Sequence, residues 1–114
     1  MDINSPALII LVSTGIIFII AGLFLYRWPP KEINMLYGYR SKRSMRNQET
    51  WNFAQSLGGK SMIGAGVLMI ILGVTFSLFT IGHTSSVVIG ISLLILIAMF
   101  MFLVTEKIIK QKFE

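Results

Sequence analysis

Three long apolar runs, 7–26, 62–81 and 87–104, constrain this sequence most, because none of them contains Asp, Glu, Lys, Arg or His. About 20 residues of α-helix, at about 1.5 Å each, span the roughly 30 Å hydrocarbon core of a bilayer. An ionisable side chain at the centre of such a helix costs about 2.5–3.5 kcal/mol on insertion scales. The runs therefore predict an all-α membrane protein with three transmembrane helices, built as a single membrane domain over residues 1–114.

The composition excludes the main soluble classes. Hydrophobic residues make up 54% of the chain and charged residues 13%, against about 25% charged residues in a typical soluble domain. Disordered chains are polar and rich in charge, which this chain is not. The first run is expected to stay in the protein instead of being cleaved as a signal peptide, because no basic residue precedes it and it exceeds the usual apolar core of about 7–15 residues.

The basic residues predict the orientation in the membrane. All ten Lys and Arg residues lie either in segment 27–60 or after residue 104, whereas the link 82–86 has none. Because basic loops stay on the cytoplasmic side, the N-terminus is expected outside, with segment 27–60 and the C-terminus inside. This excess charge is explained by topology and by anionic membrane lipids as partners. No nucleic acid is expected as a partner, since one membrane-proximal loop cannot build a nucleic-acid-binding fold.

Segment 27–60 is far longer than the connection between two packed helices needs to be. It contains aromatic residues such as Trp28, Tyr37, Tyr39 and Trp51, so it is expected to be ordered against the membrane surface or the mouth of the bundle. The Pro29–Pro30 pair predicts the end of the first helix, because neither residue can donate a backbone hydrogen bond.

The second half of this segment predicts a short amphipathic helix lying in the headgroup plane, capped by Asn47 and anchored at the interface by Trp51. Projection at about 100° per residue divides its residues into two arcs. The apolar arc comprises Thr50, Trp51, Phe53, Ala54, Leu57 and Gly58, and the polar arc comprises Gln48, Glu49, Asn52, Gln55, Ser56 and Lys60. Gly58–Gly59 is expected to bend the chain into the second span. The pattern leaves open whether this helix only anchors the loop or also binds a partner.

Arg40 is the main candidate binding residue, because a guanidinium can hold a phosphate or carboxylate and can stack on Tyr37 or Tyr39. The alternative is that Arg40 only fixes the loop through backbone carbonyls or Glu49. Asn34 and Asn47 are expected to form a turn and a helix cap. Basic side chains Lys42, Arg43 and Arg46 fit the cytoplasmic flank of a membrane helix or a docking surface. The loop carboxylates Glu32 and Glu49 are expected to form salt bridges.

The sequence offers little for catalysis. His83 is the only histidine, no cysteine is present, and no second metal ligand or base is near it in sequence, so neither a cofactor nor a metal is expected. Gly15 and Gly22 lie seven residues apart, as do Gly66 and Gly73, which predicts close helix packing. Gly73 with Ser77 and Ser86 with Gly90 add further pairs of small residues.

The loop resembles the signature of the SdpI family of bacterial membrane proteins. The residues that carry the resemblance are Pro29-Pro30-Lys31, Ile33-Asn34, Tyr37-Gly38-Tyr39-Arg40-Ser41, Ser44-Met45, Asn47, Glu49-Thr50-Trp51 and Ala54. The resemblance implies a three-span protein of the bacterial inner membrane that gives immunity against a secreted toxic peptide. From it and from the loop residues, the candidate site for a ligand or partner comprises Asn34, Tyr37, Gly38, Tyr39, Arg40, Ser44, Asn47 and Trp51.

The resemblance also implies partners. These are a peptide toxin and, as in the best known member, a small transcriptional repressor held at the membrane during signal transduction. Larger members have an additional N-terminal membrane region for which this chain is too short, so immunity is the firmer expectation. Two other functions stay open: transport or lipid handling, which would require a homo-oligomer because three uncharged spans form a poor pore, and a structural role as an accessory subunit of a membrane complex.

Overall fold

The computed structural model describes all residues, 1–114, and contains three α-helices and no strands. Helix α1 spans Pro6–Arg27, α2 spans Gln48–Ser77 and α3 spans His83–Phe113. Each helix is long and apolar enough to cross a membrane. The prediction of an all-α protein with three helices long and apolar enough to span a membrane is confirmed, although α3 continues well beyond the expected end at residue 104.

Local sequence explains where α1 begins and ends. Ser5 is the N-cap, and its hydroxyl accepts a hydrogen bond from the Leu8 amide at 3.4 Å, with Pro6 at the first helical position. Proline is favoured there because its missing N–H would have no partner within the helix. At the other end the helix stops at Arg27, directly before Trp28 and the Pro29–Pro30 pair. The predicted stop at the two prolines is confirmed.

The prediction of a separate amphipathic helix in the headgroup plane is wrong. Helix α2 begins after its cap Asn47 and continues without a break through Gly58 and Gly59 to Ser77. A glycine in a helix interior costs about 1 kcal/mol relative to alanine, but here the two glycines are positions of close contact instead of a bend. A Cβ on Gly58 would lie 2.9 Å from the Cβ of Tyr39, and one on Gly59 would lie 2.9 Å from the carbonyl oxygen of Gly22.

Helices α1 and α2 are antiparallel and approach each other backbone to backbone. A Cβ on Gly15 would lie 2.6 Å from the carbonyl oxygen of Gly66, and one on Gly22 would lie 2.7 Å from that of Gly59. Gly59 thus extends the predicted seven-residue spacing of small residues on α2 towards the N-terminus. Glycine at these positions is required by the distance between the helices, since any side chain would meet the facing main chain.

Helix α3 packs on this pair through Ile97, which lies in the core cluster with Leu11, Ala65 and Met69, and through contacts near its two ends. At one end the Ser86 hydroxyl accepts a hydrogen bond from the Ala7 amide at 2.9 Å, and a Cβ on Gly90 would lie 3.1 Å from Ala7 Cα. Near the other end the Thr105 hydroxyl donates to the Ser61 hydroxyl at 2.9 Å. Between these contacts Gly64 of α2 has no neighbour within 4 Å of where its Cβ would be.

The connecting segment, residues 28–47, lies at one end of the bundle, here called the loop end. Helices α2 and α3, with 30 and 31 residues, are each about 45 Å long and exceed the roughly 30 Å hydrocarbon core. Their extra turns at the loop end form the surface on which the connecting segment packs. The candidate site is therefore supported by rigid helices and not only by a loop.

Candidate functional site

The first half of the connecting segment folds into a turn around Asn34. The Asn34 Oδ1 atom accepts hydrogen bonds from the amides of Leu36 at 2.9 Å and Tyr37 at 2.8 Å, and its Nδ2 donates to the Glu32 carbonyl at 2.9 Å. Such side-chain bonds to nearby amides are characteristic of asparagine in turns. The predicted turn at Asn34 is confirmed, and the turn uses its side-chain oxygen and one of its two amide N–H donors.

Tyr37 connects this turn to the end of α1. Its hydroxyl donates to the Trp28 carbonyl at 2.8 Å, and its ring meets Phe24 edge-on with centroids 6.0 Å apart. The last carbonyls of a helix have no partner within it, so this hydrogen bond closes the end of α1. Desolvation of the phenol raises the pKa of Tyr37.

Gly38 has a backbone conformation that other residues rarely adopt. Its φ is +112°, and it is the one residue of the chain with a positive φ. A Cβ there would also lie 2.5 Å from Gln55 Oε1 and 2.7 Å from Pro30 Cγ. Glycine at this position lets the chain reverse directly against α2.

Tyr39 is held to α2 through its main chain. Its amide donates to Gln55 Oε1 at 2.7 Å, and Gln55 Nε2 donates to its carbonyl at 2.8 Å. The Gln55 side chain is 0% exposed, so its expected place on the polar arc is wrong. The physical reason is that its amide replaces water as the hydrogen-bonding partner of a buried main-chain segment.

Trp51 is also fully buried, at 0% exposure, and its indole Nε1 donates to the Pro30 carbonyl at 3.0 Å. Its predicted role as an interfacial anchor is therefore wrong. The apolar arc that contains Trp51, Ala54 and Gly58 does exist as a buried face. That face packs against the connecting segment. The Pro30 carbonyl of this segment accepts the indole N–H, and the missing side chain of Gly58 leaves space for Tyr39.

A second turn precedes α2. The Ser44 hydroxyl accepts from the Ser41 amide at 2.7 Å, while the Ser41 hydroxyl accepts from the Ser44 amide at 3.1 Å. Asn47 then caps α2 by accepting from the Thr50 amide at 2.8 Å. The predicted cap at Asn47 is confirmed, and Ser44, which is 0% exposed, stabilises the turn from inside.

The connecting segment is fastened to α3 by the Glu106 cluster, which consists of Tyr39, Ser41, Arg43 and Glu106. The Tyr39 hydroxyl donates to Glu106 Oε2 at 2.8 Å, and the Ser41 hydroxyl donates to the same oxygen at 2.9 Å. Arg43 Nη1 lies 3.5 Å from Glu106 Oε1. The Glu106 side chain is 11% exposed, and a buried carboxylate is stable only when it is paired and hydrogen-bonded in this way.

The surroundings of this cluster shift the pKa values of Tyr39 and of Glu114. The pKa of Tyr39 is raised far above its usual value, mainly because the phenol is buried. The hydrogen bond to Glu106 and the negative charge of Glu106 raise this pKa further, and the positive charge of Arg43 lowers it. Arg43 also donates from Nε to Glu114 Oε2 at 2.7 Å. This hydrogen bond is the main reason that the pKa of Glu114 is lowered, with Arg46 as a second cation 3.6 Å away.

The sequence is similar to known proteins over most of its length. A profile of the SdpI/YfhL protein family matches residues 31–105. The chain belongs to this family. It is also 34% identical over 96 residues to the uncharacterized protein YfhL of Bacillus subtilis (strain 168), a match that covers 84% of this chain and 82% of that protein. No solved structure gives a significant match.

The residues that carry the SdpI family resemblance have a common structural role. Asn34 and Ser44 form hydrogen bonds that fix turns within the connecting segment. Gly38, Asn47 and Trp51 form contacts that hold the segment against α2. These residues thus stabilise the fold of the connecting segment, and most of their polar atoms are already hydrogen-bonded inside the protein. Their participation in binding stays a prediction.

Arg40 differs from these residues because its side chain is exposed. Its Nη1 donates to the Met35 carbonyl, as one of the two interpretations of the sequence expected, but it does not pair with Glu49. Its guanidinium stacks on neither tyrosine; the stacked cations are Arg27, Lys60 and Lys112. Arg40 is therefore the candidate site residue with the most unused hydrogen-bonding capacity.

Sequence reasoning missed the acidic partner of the site. The salt bridges expected of Glu32 and Glu49 are absent, and the ion pairs use Glu106 and Glu114 with Arg43 and Arg46. Glu106 is the first acidic residue after the third apolar run, on the side where all the basic residues lie. This position could have indicated that Glu106 pairs with a basic residue of the connecting segment. His83 is exposed at the start of α3, and no group of three or more potential metal ligands lies together.

Proposed function

We propose that this protein is an immunity protein of the bacterial cell membrane that protects against a secreted toxic peptide. Membership of the SdpI/YfhL family over residues 31–105 is the observation that carries the proposal. The matched region runs from the connecting segment through α2 and most of α3, and it includes Tyr39, Ser41 and Arg43 of the Glu106 cluster.

The geometry supports a binding role for the loop end better than a bridging role. A plain link between α1 and α2 would not need a buried glutamine, a buried tryptophan and a buried carboxylate. Such fixed surfaces bind with less loss of conformational freedom than flexible ones. The proposal places ligand recognition at the exposed side of this segment and signal reception in the Glu106 cluster, where a ligand that moved the segment would have to break its contact with α3.

The orientation in the membrane is part of the proposal. The loop end carries all ten Lys and Arg residues of the chain, in the connecting segment and in the flanking helix ends. Basic flanks are retained in the cytoplasm, so the loop end would face inwards and the link between α2 and α3 outwards. Cysteine labelling is a direct test because the chain has no cysteine. A Ser85→Cys variant should react with a membrane-impermeant maleimide in intact cells, whereas a Ser56→Cys variant should react only after lysis.

Toxin challenge of sensitive cells tests the function itself. Cells that express the protein should survive a cognate peptide toxin at concentrations that kill cells with an empty vector. Glu106→Gln should reduce survival, because it removes the charge that holds Arg43 while nearly conserving the side-chain volume. Glu32→Gln is the matched control, since the Glu32 carboxylate is exposed and has no partner. Equal killing with and without the protein, at equal membrane levels, would contradict the proposal.

A further inference from the structure

A groove of about 390 Å³ opens at the loop end between α1, the connecting segment and α3. Its walls include Ala21 and Leu25 of α1, Met62 of α2 and Phe102 of α3, with Tyr37 and Arg40 at the connecting segment. The ring of Tyr39 lies against Phe102, with centroids 6.1 Å apart. The groove is thus apolar inside and has a cation at its edge.

A second hollow of about 360 Å³ continues this surface along α1. It is formed by Ile17, Ile20, Ala21, Phe24 and Tyr37, and it shares Ala21 and Tyr37 with the groove. From Leu25 to Ile17 this surface follows α1 for about 12 Å. Ile17, Ile20 and Phe24 are 63%, 61% and 53% exposed, so the surface faces outwards from the bundle, where a bilayer presents acyl chains.

The chemistry of this surface favours an acyl chain over a peptide. All five residues of the second hollow are hydrophobic, and the Tyr37 hydroxyl is already bonded to the Trp28 carbonyl. A peptide lying there would have no partners for its backbone N–H and C=O groups, which is costly within a membrane. A hydrocarbon chain has no such requirement.

The edge of the groove has unpaired positive charge. Arg40 donates from Nη1 to the Met35 carbonyl, while its Nε and Nη2 have no acceptor in the protein and no carboxylate pairs with it. Guanidinium groups bind phosphate through two parallel N–H donors. The exposed cations Arg27 and Lys60 at the same end add to the attraction for an anion.

We propose that this groove binds one anionic phospholipid, with its phosphate at Arg40 and an acyl chain along Ile17, Ile20 and Phe24. The lipid would fill the space between α1 and the connecting segment and stabilise the loop end. This ligand site is independent of the proposed immunity function, because the two can be present or absent separately.

Native mass spectrometry of the purified protein with dioleoyl phosphatidylglycerol and dioleoyl phosphatidylcholine tests the site. One phosphatidylglycerol should remain bound, about tenfold more tightly than phosphatidylcholine, because both lipids offer a phosphate but the choline cation of phosphatidylcholine offsets its negative charge beside Arg40. Arg40→Gln should remove this preference, and Arg40→Lys should weaken it because the second parallel donor is lost. Lys42→Gln changes the net charge equally outside the groove and should leave the preference unchanged.

The part of the site that would bind the acyl chain is tested by a separate variant. Ala21→Trp should reduce retention of phosphatidylglycerol about tenfold by filling the groove with the charge unchanged, whereas Ile95→Trp, at an exposed position of α3, should not. Circular dichroism of each variant checks folding. If Ala21→Trp does not fold, the comparison of Arg40→Gln with Lys42→Gln still tests the lipid site. Equal loss in Arg40→Gln and Lys42→Gln would overturn the proposal in favour of diffuse attraction. Full displacement by glycerol 1-phosphate, or a dimer that Ala21→Trp disrupts, would overturn it in favour of a free phosphate or a second copy.

Discussion

The Tyr39 hydroxyl and the Glu106 carboxylate, 67 positions apart in the chain, are joined by a hydrogen bond of 2.8 Å. Ser41 donates to the same carboxylate oxygen at 2.9 Å. Through these contacts the connecting segment between α1 and α2 is attached to a helix to which it is not joined in sequence. Glu106 is therefore the main polar attachment of this part of the connecting segment to α3.

Replacing Glu106 with alanine is expected to lower the free energy of unfolding by about 2–4 kcal/mol, because it leaves the Tyr39 and Ser41 hydroxyls without their acceptor and removes one of the two carboxylates that pair with Arg43. The measurement is thermal unfolding in detergent, followed by tryptophan fluorescence. Glu32→Ala, which removes an exposed carboxylate without a partner, should change it by less than about 0.5 kcal/mol. A similar effect of the two substitutions would contradict the importance of the Glu106 cluster.

The close approach of α1 and α2 predicts opposite outcomes at two glycines of the same helix. Gly66→Ala should destabilise the protein by about 1–3 kcal/mol, because its Cβ would lie 2.5 Å from the carbonyl oxygen of Gly15. Gly64→Ala should be neutral or stabilise by up to about 1 kcal/mol, since the position is open and alanine favours the helix. Circular dichroism during heating measures both. The helix contact would be in doubt if the Gly66 variant were as stable as the Gly64 variant.

Gly38→Ala is expected to loosen the connecting segment. Alanine at a φ of +112° is strained by about 1–3 kcal/mol, and its Cβ would collide with Gln55. Limited trypsin digestion should then cleave faster at Lys42, Arg43 and Arg46. Gly82→Ala provides the comparison, because Gly82 has a negative φ of −58° and open space around it; unchanged cleavage in both variants would argue against the strain.

The contact between Arg43 and Glu114 predicts a pH dependence at the loop end. Because the pKa of Glu114 is lowered in the folded protein from 4.5, its contribution to stability is present above that value and is lost as the pH falls through the folded pKa. Carbon NMR of the Glu114 carboxyl should show its midpoint rising in Arg43→Gln, and rising less in Arg46→Gln. An unchanged midpoint in Arg43→Gln would disprove the contact.

The three spans could be predicted because the membrane imposes a single requirement that the apolar runs meet. The turn at Asn34 and the cap at Asn47 also followed from sequence, since both depend on neighbouring residues. The separate interfacial helix did not, because periodicity identifies a buried face but not what buries it. Trp51 and Ala54 do lie on such a face, yet Trp51 contacts Pro30 of the same chain instead of lipid.

The Glu106 cluster could not be assembled from sequence for a related reason. Its members are adjacent only after α3 has returned to the loop end, and no local pattern relates Ser41 to Glu106. The burial of Gln55 could not be predicted either. A glutamine among polar neighbours is expected to be solvent-exposed, and only the tertiary structure places the main chain of Tyr39 beside it. Long-range partners of polar residues require the tertiary structure.

The heptad-spaced glycines of α2 also determine which motions the bundle permits. Helices α1 and α2 touch main chain to main chain at Gly15–Gly66 and Gly22–Gly59, so sliding or twisting between them would meet immediate steric resistance. Helix α3 has no such contact beside Gly64 and packs on this pair through side chains, with Ile97 against Leu11, Ala65 and Met69. Displacement of α3 against this two-helix unit would meet less main-chain resistance than displacement of α1 against α2, and it would carry Glu106 away from Tyr39.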